Sequence, residues 1–297
     1  MSDDRFPLNE VLGFPTDNHS DDAFKHRDEK LCRFSDYLTE CNKTNAGQVI
    51  GTCSNQHKGD EYIVCPHRME EDNLLFEDAA TEALGEGAVY EVLKEVRLQY
   101  EDGGSVGDID FILVDVEQGK VQDFASLEVQ TVYTSGNSSR PVNHFLENPR
   151  EREYFDWRAK VEEINSDDSQ GNTSYVSPDW KSSHRKRLVP QVLQKGRILN
   201  EWGITQVVAT QDALFNDLGK EFQEVEPEQA DLIWLLYDIE LDEEQNLYNL
   251  TLKKVIYSTF KDFQDTFSEE KEPETKGDFE ERLKSDLGGD KQLQLFS

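Results

Sequence analysis

Beyond residue 70 the apolar and polar positions follow two alternating periods. Residues 74–85, LLFEDAATEALG, carry apolar residues at helical spacing and stop at Gly85, which predicts a helix. Three β-rich runs follow: AVYEVLKEVRLQY (88–100), DIDFILVDVEQ (108–118) and VQDFASLEVQTVY (121–133). The last two meet at the turn Glu117-Gln118-Gly119-Lys120. Residues 180–200 read as a helix with Pro190 near its first turns. ITQVVAT (204–210) then reads as a short buried strand and QDALFNDLG as a helix. ADLIWLLYDIEL (230–241) and LYNLTLKKVIYSTF (247–260) read as further strands. An antiparallel meander followed by a helical crossover predicts an α/β fold, a mixed sheet with helices on its faces.

Charge adds a local anomaly to this pattern. The 297-residue chain has 62 acids against 31 bases and a formal net charge of -31. Such a surface repels polyanions, and it is also a device of proteins working in concentrated salt. Residues 180–200, WKSSHRKRLVPQVLQKGRILN, run the other way, holding Lys181, Arg185, Lys186, Arg187, Lys195 and Arg197 and no acid. We read this island as a helix facing phosphates, with Arg185, Lys186, Arg187, Lys195 and Arg197 as DNA-contacting residues. The bland alternative is a helix face paired to acids elsewhere. No stretch approaches the roughly 20 apolar residues that cross a bilayer, and MSDDRFPLNE lacks a basic-then-apolar secretion signal. A cytoplasmic protein without membrane contact is the expectation.

All four cysteines, Cys32, Cys41, Cys53 and Cys65, fall in one N-terminal stretch. Reducing surroundings disfavour disulfides, and four clustered thiolates suit one tetrahedral Zn²⁺ or iron ion. The intervals are wider than the tight two-residue knuckles of zinc ribbons, and unrelated buried thiols are the competing reading. His57 and His67 are taken as bystanders, because four thiolates close the site and make it structural. The expected organisation is a four-cysteine metal-binding module over 1–70, a core over 71–262 with the basic helix near 181–200, and an acidic mobile tail over 263–297. The role of residues 134–180, a DNA-side insertion or a surface excursion, stays open.

The candidate chemistry lies where two strands meet. Glu128 and Gln130 alternate with Leu127 and Val129, which places the two polar residues on one sheet face. If the hairpin pairs in register, Asp110 approaches that face from the neighbouring strand. Two carboxylates and the Val129 carbonyl would make an oxygen-rich site for Mg²⁺, which activates water and stabilises charge on a phosphodiester. Glu-x-Gln alone is weak, since Glu221-Phe222-Gln223 repeats it in an acidic helical setting.

Together these features resemble the NotI-type restriction endonucleases of the PD-(D/E)XK nuclease superfamily. The resemblance rests on Gly51-Thr52-Cys53 and Cys65-Pro66-His67-Arg68, then Asp110-Phe111, Leu127-Glu128-Val129-Gln130-Thr131 and the basic helix, in that order over most of 31–240. It implies a restriction-endonuclease-like fold in which Asp110 and Glu128 hold Mg²⁺. Gln130 stands at the superfamily's usual lysine position and orients the attacking water, because a neutral amide supplies no positive charge. It further implies structural iron, or zinc, on the four cysteines. A homodimer cutting both strands of a GC-rich palindrome, and a cognate DNA methyltransferase in the same system, follow from the same resemblance. Type II, Mg²⁺-dependent cleavage of double-stranded DNA is the function expected. A non-cleaving DNA-binding protein with a four-cysteine metal module, and a structure-directed repair nuclease, stay open as alternatives. The C-terminal Gln292-Leu293-Gln294-Leu295-Phe296 resembles the short peptide that docks on the replication sliding clamp.

Overall fold

The computed structural model describes residues 6–35, 39–45, 47–136, 138–147, 149–150, 156–166, 175–219, 222–268 and 275–288. The clamp-like peptide at 292–296 lies outside them. Among the described residues no helix is long and apolar enough to cross a membrane.

The N-terminal region is a small sheet with a helix. Strands β1 (Leu8–Val11), β2 (Phe14–Pro15), β5 (Thr52–His57) and β6 (Asp60–Ile63) pair in the order β2-β1-β5-β6, and β3 (Thr44–Asn45) with β4 (Gln48–Val49) forms a separate ribbon. Helix α1 (Asp21–Glu29) is capped by Ser20, whose side chain accepts the Ala23 N–H, with Asp21 and Asp22 favourably placed in the first turn.

A 3₁₀ segment, Pro66–Asn73, leads into α2 (Leu74–Leu84), which Gly85 ends as the pattern predicts. Three long antiparallel strands follow: β7 (Tyr90–Gln99), β8 (Ser105–Glu117) and β9 (Lys120–Gln130). Gln118 and Gly119 both take positive φ, 52° and 74°, the geometry that joins two twisted strands in two residues. A bulge between Asp115 and Val116 then shifts the register by one residue, so Phe111 stands opposite Leu127 and Asp110 comes beside Glu128.

Residues 134–178 contribute β10 (Thr134–Ser135), α3 (Ser139–Glu147), α4 (Trp157–Ser166) and β11 (Ser177–Pro178). This segment packs on the N-terminal region. Val142, Phe145, Trp157 and Val161 share one apolar cluster with Leu8, Val11, Leu12, Cys32, Cys41 and Cys53. The segment covers the cysteine-bearing region and supplies the large apolar side chains which residues 32–65 lack.

The basic island is helical throughout: α5 (Trp180–Ser183), a π turn at His184–Leu188 and α6 (Val189–Glu201). Pro190 has no N–H for the preceding turn, and its ring would crowd the carbonyl four residues back. The wide π turn absorbs this, with the Val189 N–H bonding to the His184 carbonyl. Strand β12 (Gln206–Gln211) inserts parallel to both β9 and β13 (Leu232–Asp242), after which α7 (Asp212–Asp217) crosses over. Strand β14 (Leu247–Ser258) completes a six-stranded mixed sheet of order β14-β13-β12-β9-β8-β7.

One sheet face packs on α2, with Leu75, Phe76 and Ala79 against Leu127, Val207 and Leu235. The other face packs on α6 and on α8 (Phe260–Ser268): Val192 and Phe263 share a cluster with Val208 and Trp234, while Leu199 joins Ile112 and Val114. The expected tail at 263–297 therefore begins too early. Phe263 is fully buried, and Phe263 and Phe267 pack on Phe222. Acids dominate the segment, but phenylalanines at helical spacing override them, each buried ring contributing roughly 1.5–3 kcal/mol. Helix α9 (Lys276–Gly288) lies further along the same acidic stretch.

A buried ionic cluster ties the N-terminal sheet to the core. Arg68 lies 3.0 Å from Glu10 Oε2 and 2.8 Å from Glu71 Oε2, and donates at 2.9 Å to the Tyr248 carbonyl of β14. Glu71 also accepts the Leu250 N–H at 2.6 Å. At the other end of the interface Gln211 bridges β12 to β6, accepting from Ile63 N and donating to the Glu61 carbonyl, both at 2.9 Å.

Candidate active site

The site is built on the sheet face that carries α6. Leu127 points to the α2 side, so Glu128 points to the other, and its side chain is only 1% exposed. Asp110, from β8, accepts the Val129 N–H at 2.9 Å through Oδ2. The two carboxyl groups also interact directly with one another. Burial, reinforced by Asp110, pushes the Glu128 carboxyl up to about 7. Asp110 is raised as well, chiefly by burial, against the lowering influence of the Val129 N–H and Lys195.

Lys195 is the third member of the cluster. Its Nζ lies 2.7 Å from both Glu128 oxygens, and the side chain is nearly inaccessible. The placement of α6 makes this reach possible. A Cβ on neighbouring Gly196 would stand 2.6 Å from both Gln206 Oε1 and the Phe260 ring, so only glycine lets the helix approach β12 this closely. The expectation that Lys195 faces DNA from an exposed helix surface is thus corrected: the lysine turns inward, drawn by two buried carboxylates. A signal was present in the sequence, because 188, 192, 195 and 199 form one helical stripe, apolar except for Lys195.

The remaining basic residues do not share one face. Arg185, Lys186, Arg187 and Arg197 are all exposed. Arg187 stacks on Tyr133, its guanidinium 4.4 Å from the ring centroid, whereas Arg197 borders a recess that also holds Glu201, Lys261 and Asp265. Gln130 adjoins the carboxylates on β9. Its amide nitrogen donates to the Thr131 carbonyl at 2.6 Å, and its own backbone carbonyl accepts from Thr210 Oγ1 at 2.8 Å.

Gln130 also opens onto a cavity of about 550 Å³ between the cysteine-bearing region and the core. Lys43 and Arg187 stand on its walls, with hydroxyls from Thr44, Thr52, Thr131, Thr134 and Ser138. The positive charge of Lys43 is felt both at Asp110 and at Cys65. This lysine was not singled out in the sequence, where it is one base in an ordinary polar loop.

Cys32, Cys41, Cys53 and Cys65 are all buried and reduced. Cys32 N–H donates to the Thr39 carbonyl and Cys41 N–H to the Lys30 carbonyl, each at 2.8 Å, while Cys65 N–H reaches the Cys53 carbonyl at 3.2 Å. Backbone N–H groups of Phe34 and Ser35 face the Cys32 sulfur, and that of His67 faces the Cys65 sulfur. Burial pushes the Cys65 thiol up to about 12 and raises Cys53 and Cys32 as well, with the cysteines reinforcing one another at Cys53. Soft sulfur donors close enough to feel one another's charge, two of them faced by N–H groups, suit a thiophilic metal. Among the described residues, however, no group of three or more His, Cys, Asp or Glu side chains stands gathered as a ready ligand set. His67 bonds to Glu70 at 2.7 Å and to Asn42 at 3.1 Å.

Paired buried acids, with Gln130 beside them on β9 lining a cleft that holds Lys43 and Arg187, suit an anionic substrate. The family model for restriction endonuclease NotI matches residues 10–250, and the chain belongs to that family. That membership makes it a restriction endonuclease, a site-specific deoxyribonuclease that binds double-stranded DNA. No curated protein matches the chain.

Proposed function

We propose that this protein is a Mg²⁺-dependent type II restriction endonuclease of PD-(D/E)XK architecture, with Asp110 and Glu128 as its metal-holding pair. The observation that carries the reading is their convergence from adjoining strands on one buried face, two residues along β9 from Gln130, which lines a cleft that also holds Lys43 and Arg187. Hard carboxylate oxygens suit Mg²⁺, and the Val129 N–H holds Asp110 beside Glu128 through Oδ2. When bound, the metal supplies a lowered barrier to water attack and neutralises charge on the phosphodiester. Gln130, two residues from Glu128 on the same face of β9, orients the attacking water. Lys43, Arg187 and the cleft hydroxyls bind the DNA backbone, joined by Arg185, Lys186 and Arg197 from the exposed side of the basic segment.

The four cysteines hold a structural iron, or zinc, which fixes the loop that presents Lys43. A homodimer meets a palindromic, GC-rich site, because two-fold symmetry in the protein matches two-fold symmetry in the DNA. A DNA methyltransferase protecting the same site completes the system, and the acidic surface suits a salt-rich interior. Mixed-sequence DNA incubated with the protein and Mg²⁺, followed by sequencing of product ends, tests this reading. Ends sharing one repeated palindrome are expected. Retarded migration without cleavage would favour a DNA-binding protein instead, and cuts confined to branched substrates a repair nuclease.

A further inference from the structure

We propose that Lys195 is the positioning residue of the cleavage site, an internal cation that orients Glu128 and gives the assembled site its positive charge. The inference rests on the reading of Asp110 and Glu128 as the metal-holding pair. Lys195 contacts both oxygens of Glu128 at 2.7 Å, and both residues are buried. A buried ion pair is an inefficient way to stabilise a fold, since apolar residues of similar volume do as well or better. This one also sits next to a second buried acid, Asp110, which leaves the trio with one net negative charge.

That balance has a chemical consequence. Two acids alone would be brought to neutrality by a divalent cation, and a neutral site has no attraction for a phosphodiester. With Lys195 present, the same cation turns the site net positive, which favours an anionic substrate and still more the charge that grows on it during attack. Gln130, the next residue on this face of β9, carries no charge to do so. Because the ammonium occupies both Glu128 oxygens, a divalent ion must also displace it from at least one. Lys195 therefore weakens metal binding in the absence of DNA while promoting cleavage in its presence. Gly196 serves this arrangement by allowing the close approach of α6, and the Lys195 stem lies against Gly107, where an added Cβ would be 3.7 Å from Lys195 Cε.

These opposed effects distinguish a positioning cation from a structural prop. The test compares full-length wild type with Lys195→Gln, which keeps a donor toward Glu128 without the charge, and with Lys195→Met. Thermal melting, Mn²⁺ binding to DNA-free protein by electron paramagnetic resonance, gel shift in Ca²⁺ and single-turnover cleavage in Mg²⁺ are measured together. Whichever variant melts cooperatively is expected to bind Mn²⁺ about tenfold more tightly. It should cleave roughly 10²-fold more slowly at saturating DNA and metal, with gel-shift affinity in Ca²⁺ falling by much less than the rate. Adding Gln130→Lys, which returns a charge to the same face, should recover part of the rate. Wild-type cleavage by Lys195→Gln would overturn the proposal, as would Mn²⁺ affinity and cleavage falling together. Asp110→Asn and Glu128→Gln, assayed alongside, separate the two failures. Were those variants fully active, the metal-site reading itself would be lost, whatever Lys195 does.

Discussion

Asp110 Oδ2 accepts the Val129 N–H at 2.9 Å across the β8–β9 pair, so this acid is tied to the strand that carries Glu128. The same strand pair presents Glu128, so strand register sets the two acids side by side while Lys195 holds the Glu128 carboxylate. Removing either charge should leave the sheet intact and stop the chemistry. Asp110→Asn and Glu128→Gln are expected to lower single-turnover cleavage by roughly 10³-fold or more while retaining DNA binding in Ca²⁺. Cleavage near the wild-type rate by either variant would remove that acid from the site.

The elevated Glu128 carboxyl links pH to both stability and metal binding. Its folded value of about 7 lies above the ordinary 4.5, so the folded state favours the protonated form. The contribution is full below about 4.5 and is lost as pH rises through 7, the opposite of a salt-bridged surface acid. Thermal melting of metal-free protein should accordingly decline between those limits, and Glu128→Gln should flatten the decline. Divalent ions take the ionised form, so Mg²⁺ affinity should increase over the same interval, as isothermal titration would register.

Gly196 tests whether helix placement controls the site. Gly196→Ala puts a methyl 2.6 Å from the Phe260 ring and Gln206, and α6 must shift outward. A loss of about 1–3 kcal/mol in stability is expected, read by urea denaturation. Cleavage should fall further than stability explains, because Lys195 moves with the helix.

The Arg68 cluster fastens the cysteine-bearing region to the nuclease core. Arg68→Met leaves Glu10 buried and without its guanidinium partner, at an expected cost of roughly 3–5 kcal/mol. Paired with Glu10→Leu the loss should shrink substantially, since the stranded charge disappears. A double variant no better than the single one would show that shape, rather than charge, dominates there.

Metal content follows from the thiols. Elemental analysis of protein purified without added metal should give about one iron or zinc per chain. Cys53→Ser should abolish that stoichiometry and lower the melting temperature. Cleavage should weaken too, through displacement of Lys43 from the cleft wall. Zinc or iron retained by the serine variant at full stoichiometry would place the metal elsewhere.

Periodicity along the chain was enough to determine the six strands of the large sheet and the helices α2, α6 and α7. Helix 74–84, the β8–β9 hairpin with its Gln118-Gly119 turn, and the late strands all follow from local spacing and turn chemistry, which act over a few residues. The turn and the alternation made the strand pair that bears Asp110 and Glu128 legible, but a bulge between Asp115 and Val116 sets the register that brings the two acids side by side. Tertiary structure alone decided three other things. It set Lys195 inward, because a charge on an apolar stripe turns only when a buried acid awaits it 67 residues away. It brought Lys43 to the cleft through loop packing that has no period to read. It also seated Val142, Phe145 and Trp157 over the cysteines, because apolar side chains carry no address for the surface they will cover. Local spacing dictates which face a residue takes; only the assembled core dictates what that face meets.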